Sequence, residues 1–370
     1  MSEVPGTGRV IADRYRLLDA LGAGGAGIVW RARDEVLGRE VAVKEVRAPA
    51  DLPAAEAERL YARLEREARA AARVSHRNVV AVHDVVTQDS RPWIVMELVR
   101  GLTLSDVLGA DGPLSPRRAA RIGAEVLAAL RGAHGAGVLH RDVKPGNVLL
   151  ANDGRVMLTD FGVTTAEDSS ALTAAGEPVG APEYLAPERA LGRTPGPESD
   201  LWSLGVLLYA ATEGRSPFRR DTPPDTLRAV ADEEPPPLLR AGPLTPVVEE
   251  LLRKDPAERL TAPEAERRLR VLAAGGTGSP GGGAAGTSPP PGDPAPPDEA
   301  AATGGEPGSR PEPPAPDGST RRTGLLLALG AVLLALLVVG GLVWALTGND
   351  GSGGTSDGSA PTAVSSVSSA

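Results

Sequence analysis

Four polar side chains near the middle of the chain lie in two short segments and could carry out proton transfer and metal binding. The segment HRDVKPGNVLL contains Asp142, Lys144 and Asn147, and the segment DFG begins with Asp160. A carboxylate such as Asp142 can accept the proton of a hydroxyl, and Lys144 can neutralise a phosphate. Asn147 and Asp160 supply the hard oxygen ligands that Mg²⁺ prefers. Each segment alone could be an ordinary loop and strand, but both together predict a phosphoryl-transfer site.

A glycine-rich segment, LGAGGAGIV, lies near the start of the chain, with Gly22, Gly24 and Gly27 followed by Val29. Glycine backbone can fold closely over phosphates and offer its N–H groups to their oxygens. A dinucleotide-binding fingerprint would need a helix after the glycines and an acid about 20 residues further on. The segment IVWRARD has the pattern of a strand, so that alternative is disfavoured.

Lys44, in the apolar run VAVK, is predicted to point into a site that needs its charge. Its candidate partner is Glu67, which shares a helical stripe with Leu60 and Leu64. A carboxylate on an apolar stripe is costly unless it is paired. We therefore expect a Lys44–Glu67 ion pair, with Glu65 as the competing carboxylate.

The elements that must position these residues fall into two parts. Residues 11–48 alternate short apolar runs with turn residues, as antiparallel strands do. A helical pattern follows from Ala54 to Val74, and then come two strand-like runs, VVAVHDVV and WIVMEL. After Gly112 the apolar spacing is mostly helical, with short strands at NVLL and VMLTD. The pattern predicts an α+β fold with a β-rich lobe, an α-rich lobe and a cleft between them.

With these motifs the chain resembles the bacterial transmembrane eukaryotic-type Ser/Thr protein kinases. The resemblance covers residues 15–272 and includes APE at 186–188, DLWSLG at 200–205 and KDPAERL. It implies a bilobal kinase domain that uses ATP with Mg²⁺, or Mn²⁺ in its place. It also implies that Asp142 and Lys144 are catalytic, that Lys44 holds the α- and β-phosphates, and that Asn147 and Asp160 bind the metal.

The resemblance further implies an adenine pocket and a set of structural contacts. Leu21, Val29, Ala42 and Leu149 would sandwich the base, Met96 would gate its rear, and the backbone of Glu97 and Val99 would read its edge. By similarity Arg259 would pair with Glu188 to brace the substrate loop, and Asp200 would hold the backbone of the catalytic loop.

Specificity and control are predicted from the same loop. The pair Lys144-Pro145 resembles the residues that Ser/Thr kinases have in this loop. Arg141 resembles the arginine of those kinases whose activation segment is ordered by a phosphate that pairs with it. The candidate phosphate acceptors are Thr173, the first choice, with Ser169 and Ser170. The chain departs from the family at Ala181, where a Thr or Ser hydroxyl usually bonds near the catalytic residues. Losing one such bond costs on the order of 1 kcal/mol, which slows an enzyme without inactivating it.

The last part of the chain is predicted to be a tether and a membrane anchor. Residues 275–320 are rich in Gly, Pro, Ala, Ser and Thr and are expected to be disordered, with a Pro-rich ligand as the alternative. Residues 324–346 contain no charge and would span roughly 34 Å as a helix, enough for a bilayer. The alternative, a buried core helix, has no adjoining domain to cover it. Arg321 and Arg322 place the kinase domain in the cytoplasm and the short disordered tail, 348–370, outside the cell.

Composition argues against several other classes of protein and of binding site. The net charge of −9 disfavours a general nucleic-acid binder. With no cysteine, disulfides and Cys-based metal sites cannot form, and the N-terminus lacks the pattern of a secretory signal peptide.

The sequence thus predicts a cell-membrane serine/threonine protein kinase that acts on cytoplasmic proteins and on its own activation loop. Family analogy implies a homodimer for trans-autophosphorylation. The alternatives are a membrane-anchored pseudokinase scaffold, which Ala181 supports, and a small-molecule phosphotransferase, which the APE and DLWSLG segments disfavour.

Overall fold

The computed structural model describes residues 6–24, 27–49, 52–161 and 181–276. Several predicted features lie outside these ranges and stay predictions. They are the loop tip at Gly25 and Ala26, the candidate acceptors Ser169, Ser170 and Thr173, the segment 324–346, the tail 348–370 and nearly all of the linker 275–320. Within the described ranges, no helix is both long and apolar enough to cross a bilayer.

The first part of the chain forms a six-stranded antiparallel sheet. Its strands are β1 Val10–Ile11, β2 Tyr15–Gly24, β3 Gly27–Asp34, β4 Arg39–Val46, β5 Val82–Gln88 and β6 Arg91–Met96. In space they follow the order β1-β2-β3-β4-β6-β5. The predicted strands IVWRARD and VAVKEV correspond to β3 and β4, which pair along their whole length.

Strand β4 separates two hydrophobic layers, because successive side chains of a strand point to opposite faces. Val41 and Val43 pack in the layer on one face. Ala42 packs in the layer on the other face, which helix α1 (Ala54–Ala71) covers. By the same alternation Lys44 lies on the face toward α1, and it is only 7% exposed. A charged group therefore enters a buried layer and needs a partner there.

The buried stripe of helix α1 differs from the predicted apolar stripe at one residue. Its buried side chains are Leu60, Leu64, Ala68 and Ala71. The prediction had Glu67 on this stripe, but Glu67 lies at its edge and is only partly buried. Ala68 therefore takes the place on the buried stripe that the prediction gave to Glu67.

The second part of the chain is mainly helical and contains one small antiparallel sheet. The central helix, α5 (Pro197–Glu213), is buried on nearly all sides, and its Trp202 stacks on Phe218 with ring centroids 5.4 Å apart. The helices are α2 Leu104–Asp111, α3 Pro116–Gly135, α4 Pro187–Ala190, α5 Pro197–Glu213, α6 Pro223–Asp232, α7 Thr245–Leu251 and α8 Ala262–Ala273. The sheet consists of β7 Gly101–Thr103, β8 Val148–Ala151 and β9 Val156–Leu158, in that order.

The residues between α1 and β5 connect the two parts. The backbone N–H of Leu158 donates to the carbonyl of Asn78 at 2.8 Å, and that of Val80 donates to the carbonyl of Leu158 at 3.0 Å. The buried side chain of Asn78 adds a bond to the carbonyl of Val156 at 2.7 Å. Strand β9 is therefore attached to the segment that leads into the large sheet. The observed order, sheet first and helices second, is the one predicted from the sequence.

Two glycines in helices have opposite surroundings and allow a matched test of packing. A Cβ at Gly205 on α5 would lie 2.9 Å from Leu251 Cβ and from Leu252 Cδ2, whereas one at Gly109 on α2 meets nothing within 4 Å. We expect Gly205→Ala to lower the free energy of unfolding by about 1–3 kcal/mol through overpacking. Gly109→Ala should raise it by about 0.5–1 kcal/mol through helix propensity. Denaturant unfolding of both variants checks this, and equal effects would contradict the α5–α7 packing.

Candidate active site

The predicted catalytic loop closes on the carboxylate of Asp142. A single turn, Pro145–Asn147, brings the side chain of Asn147 back toward it. Asn147 Nδ2 donates to the carbonyl of Asp142 at 2.7 Å and to its Oδ2 at 3.0 Å. Lys144 Nζ lies 2.7 Å from the same Oδ2. The three residues that were singled out by spacing therefore share one site.

A buried carboxylate on α5 holds the backbone that leads into this loop. Asp200 accepts the N–H of His140 at 2.9 Å and the N–H of Arg141 at 2.8 Å, as the resemblance implied. His134 Nε2 lies 2.7 Å from Asp200 Oδ2. Burial acts to raise the pKa of Asp200, but the hydrogen bond from His134 and the nearby His140 hold it below its usual value. The carboxylate also lies in the first turn of α5, where the helix dipole favours negative charge.

The ring of His140 connects the catalytic loop to the strand that precedes Asp160. Its Nδ1 accepts the backbone N–H of Asp142 at 3.2 Å, so the proton of a neutral ring lies on Nε2. That Nε2 lies 2.8 Å from the carbonyl of Thr159 and can donate to it. The ring also packs edge-on against Phe161 with centroids 4.5 Å apart. His140 thereby bridges the two segments that contain the predicted catalytic and metal-binding residues.

Asp160 adopts an unusual backbone conformation beside Asn147. Its φ is +65°, in the left-handed region that residues other than glycine rarely occupy. The N–H of the preceding residue, Thr159, donates to the carbonyl of Asn147 at 3.0 Å, which keeps the two predicted metal ligands together. Burial acts to raise the pKa of Asp160, but the charge and hydrogen bond of Lys44 hold it below its usual value. Asp160 is therefore ionised at neutral pH.

The structure contradicts the predicted ion pair between Lys44 and Glu67. Lys44 Nζ lies 2.9 Å from Asp160 Oδ1, and Glu67 Oε1 lies 3.2 Å from Arg141 Nη1. The competing candidate, Glu65, pairs with an arginine of its own helix. The reason is geometric: Glu67 lies at the edge of the buried stripe of α1 and reaches the catalytic loop, so the buried Lys44 takes the carboxylate of Asp160 instead.

The glycine-rich hairpin packs its backbone against the neighbouring strand. In the β2–β3 pairing Gly22 lies opposite Val29 and Gly24 opposite Gly27. Gly27 has φ +135°, and a Cβ there would lie 1.8 Å from the carbonyl oxygen of Glu45. Only glycine fits at this position, so the hairpin needs Gly27 for its own folding.

Most residues of the predicted adenine pocket lie in one apolar layer. Ala42 and Met96 are buried there and face each other across β4 and β6. A cavity of about 20 Å³, room for roughly one water, lies behind Met96. Glu97 donates its N–H to the carbonyl of Ala81 at 2.8 Å, so its carbonyl is the backbone group that it can offer to a ligand. Val29, Val99 and Leu149 pack against the same layer, and Leu21 is half exposed.

A buried ion pair anchors the segment that contains APE, residues 186–188. Glu188 Oε1 and Oε2 accept from Arg259 Nη1 at 2.8 Å and Nη2 at 2.6 Å, which is a bidentate contact. Ser199 Oγ donates to Glu188 at 2.6 Å. Burial acts to raise the pKa of Glu188, but the hydrogen bonds from Arg259 and Ser199 hold it below its usual value. The two residues paired by resemblance are thus in contact.

Two residues that hold the catalytic loop were missed in the sequence. His134 contacts Asp200, and Arg189 Nη1 donates to the backbone carbonyl of Arg141. The first had a signal, since it lies four residues after Leu130 and seven after Leu127, in line with the buried face of helix α3. The second directly follows APE, where an arginine reads as an ordinary surface charge.

The donor set suits a cation that shares its ligands with phosphates. Within the described part of the chain, no group of three or more His, Cys, Asp or Glu side chains could hold a metal by itself. Asn147 uses Nδ2 for its bonds to Asp142 and keeps Oδ1 as an acceptor, and Asp160 adds a carboxylate. One amide and one carboxylate oxygen fit Mg²⁺, which takes few protein ligands and completes its shell with phosphates and water.

Comparison with known proteins gives one family and several bacterial relatives. The family described as Protein kinase domain matches residues 15–268. A probable serine/threonine-protein kinase, CE0033 of Corynebacterium efficiens, is 40% identical over 71% of this chain and 42% of its own length. The serine/threonine-protein kinase PknA of Mycobacterium tuberculosis is 40% identical over 69% of this chain and 60% of its own length. PkaA of Streptomyces coelicolor, also a serine/threonine-protein kinase, is 38% identical over 72% of this chain and 51% of its own length. This chain therefore spans about half the length of these relatives.

The Glu188–Arg259 pair predicts a large and pH-dependent effect on stability. Arg259→Ala leaves a buried carboxylate without its partner and should lower the free energy of unfolding by about 3–5 kcal/mol. The exposed pair of Arg267 with Glu264 provides the control, and Arg267→Ala should leave the free energy of unfolding nearly unchanged. Denaturant titration measures both.

The same pair fixes the sign of the pH effect. The folded chain depresses the pKa of Glu188 below its ordinary value of 4.5, so the stabilisation is complete above pH 4.5. It is lost as the pH falls toward the folded-state pKa. We expect Glu188→Gln to reduce the acid sensitivity of unfolding below pH 4.5, and an unchanged pH profile would contradict this account.

Proposed function

This chain belongs to the protein kinase domain family, and we propose that it transfers the γ-phosphoryl group of ATP to serine or threonine hydroxyls of proteins. One observation carries the proposal: Asp142, Lys144 and Asn147 meet in one loop, and Asp160 with its partner Lys44 lies beside that loop. Phosphoryl transfer needs little covalent chemistry from the protein, so positioned charges of this kind are sufficient.

Each side chain of the loop has a distinct part in the proposed reaction. Asp142 accepts a hydrogen bond from the attacking hydroxyl, takes up its proton and keeps its oxygen directed at the phosphorus. Lys144, which lies 2.7 Å from Asp142, would neutralise the transferred γ-phosphoryl group. Asn147 fixes the orientation of Asp142 through its two hydrogen bonds.

Asn147 Oδ1 and the carboxylate of Asp160 would hold the divalent cation, with Mg²⁺ as the proposed ion and Mn²⁺ as its substitute. The ion, when bound, neutralises charge on the phosphate oxygens. Lys44 would bind the α- and β-phosphates. Gly22, Gly24 and Gly27 would cover the phosphates, and Leu21, Val29, Ala42, Met96, Glu97, Val99 and Leu149 would hold the adenine.

The pairing of Glu67 with Arg141 supports a proposal about control. Arg141 is the basic residue that the resemblance assigns to a phosphate on the activation segment. Its ion pair with Glu67 supports this role, because the guanidinium already contacts one anionic group. We propose that autophosphorylation provides such a group, at Thr173 or at Ser169 or Ser170, and a homodimer would permit it in trans.

Localisation is proposed from sequence alone. The uncharged apolar segment 324–346, with Arg321 and Arg322 before it, would anchor the chain as a single-pass protein with its kinase domain in the cytoplasm. The protein substrates would then be cytoplasmic proteins.

Removing the metal-binding carboxylate tests the activity. We expect Asp160→Asn to lower phosphoryl transfer from labelled ATP to a generic basic protein by at least about 100-fold, because a preorganised charge is lost. Lys44→Ala should have a similar effect. Asp153→Asn is the matched control, since its exposed carboxylate lies in the turn between β8 and β9.

The wild-type chain decides between the kinase and the pseudokinase scaffold. If it binds nucleotide and transfers no label, the scaffold is correct. If Asp160→Asn and Lys44→Ala keep full turnover, the assignment of these two residues is wrong.

Deleting residues 324–346 tests the anchor. The full-length chain should sediment with membranes and resist a carbonate wash, because an apolar helix of this length partitions into the bilayer. The deleted chain should be soluble. A deletion of the same length in the linker, residues 281–303, should leave sedimentation unchanged, and a soluble full-length chain would contradict the anchor.

A further inference from the structure

Arg189 reaches from the substrate-side segment to the backbone of the catalytic loop. It lies on the short helix α4, directly after Glu188, and is half-buried. Its Nη1 donates to the backbone carbonyl of Arg141, the residue that precedes the proposed base Asp142. A guanidinium donor makes this a charge-assisted hydrogen bond, which is stronger than one between neutral groups.

The contact fixes the peptide plane that leads into Asp142. The carbonyl of Arg141 and the N–H of Asp142 belong to the same planar unit. Arg189 binds the carbonyl, and His140 Nδ1 accepts the N–H at 3.2 Å. With both of its polar groups bonded, this plane cannot rotate without breaking one of them.

The conformation of Arg141 makes such restraint necessary. Its φ is +68°, in the left-handed region, which residues other than glycine adopt at an energetic cost. Asp200 holds the N–H of Arg141 at 2.8 Å, and Arg189 holds its carbonyl. The strained residue is therefore restrained from the helical core on one side and from α4 on the other.

Helix α4 is itself held in place by hydrogen bonds and an ion pair. Glu188, next to Arg189, is held by Arg259 and Ser199. The backbone carbonyl of Glu188 also accepts the N–H of Arg193 at 2.8 Å. A donor on this helix is thus fixed relative to α5, which also carries Asp200.

The contact between Arg189 and the carbonyl of Arg141 gains a role because this chain has Ala181 where the family usually has a Thr or Ser. The family resemblance places a hydroxyl there that ties the substrate-side segment to the catalytic residues, and a methyl group cannot form that bond. We infer that Arg189 is a positioning residue for Asp142 and supplies the tie that Ala181 lacks. This inference rests on the proposed kinase activity.

The test compares two arginines in the full-length chain. Arg189→Met keeps the length of the side chain and removes its donors, and Arg193→Met changes an exposed arginine four residues later. We expect Arg189→Met to lower kcat roughly 10-fold with the KM for ATP unchanged, since the nucleotide pocket is not touched. Arg193→Met should stay within about twofold of the wild type. A general structural defect would change both parameters.

Rescue provides the second readout. In the Arg189→Met background, Ala181→Thr should restore most of the lost kcat, whereas the same change in the wild type should have little effect. Arg189→Lys, which keeps one donor, should fall between the wild type and Arg189→Met. If Arg189→Met does not fold by circular dichroism, the kcat of Arg189→Lys decides in its place.

A failure of the proposed function and a failure of the proposed role of Arg189 give different results. A wild-type chain that transfers no phosphate overturns the proposed function. An active wild type with Arg189→Met within twofold of it, with equal losses in the two arginine variants, or with no rescue by Ala181→Thr, overturns the role of Arg189 alone.

Discussion

The catalytic loop depends on a carboxylate that belongs to the helical core. Asp200, in the first turn of the buried helix α5, accepts two backbone N–H groups of the loop and contacts His134. Burying a carboxylate is costly, and these donors with the helix dipole offset that cost. Because α5 is packed on nearly all sides, its position is fixed, and the loop that is bonded to it is held in place. The left-handed conformation at Arg141 is held in this way, and Asp142 is placed by it.

The part of the site that lies within one loop could be predicted from the sequence. Asp142, Lys144 and Asn147 are close in the chain, and a single turn brings them together in any fold that forms it. The division into a sheet-rich and a helix-rich part was predictable for a related reason. Apolar periods of 2 and 3.6 residues are local properties, so they can be read without knowing the tertiary structure.

Contacts between distant elements could not be predicted in the same way. The apolar stripe of α1 contains Ala68 where the prediction had Glu67, and one residue rotates a helical side chain by about 100°. That rotation gives Glu67 a partner in the catalytic loop and leaves Lys44 to Asp160. The contact of Arg189 is a further example, because its acceptor is a backbone carbonyl, which has no sequence signature.

In the absence of ligands, Lys44 and Asp160 neutralise each other, so the proposed phosphate and the proposed cation must each separate this ion pair to bind. A divalent cation that takes Asp160 as a ligand must displace the ammonium group that lies 2.9 Å away. Every 1.4 kcal/mol needed to separate the pair weakens the apparent affinity for a cation alone about tenfold. A triphosphate that attracts Lys44 removes this barrier. In the proposed reaction the pair would therefore couple the two ligands, so that nucleotide and cation would bind more tightly together than either would alone.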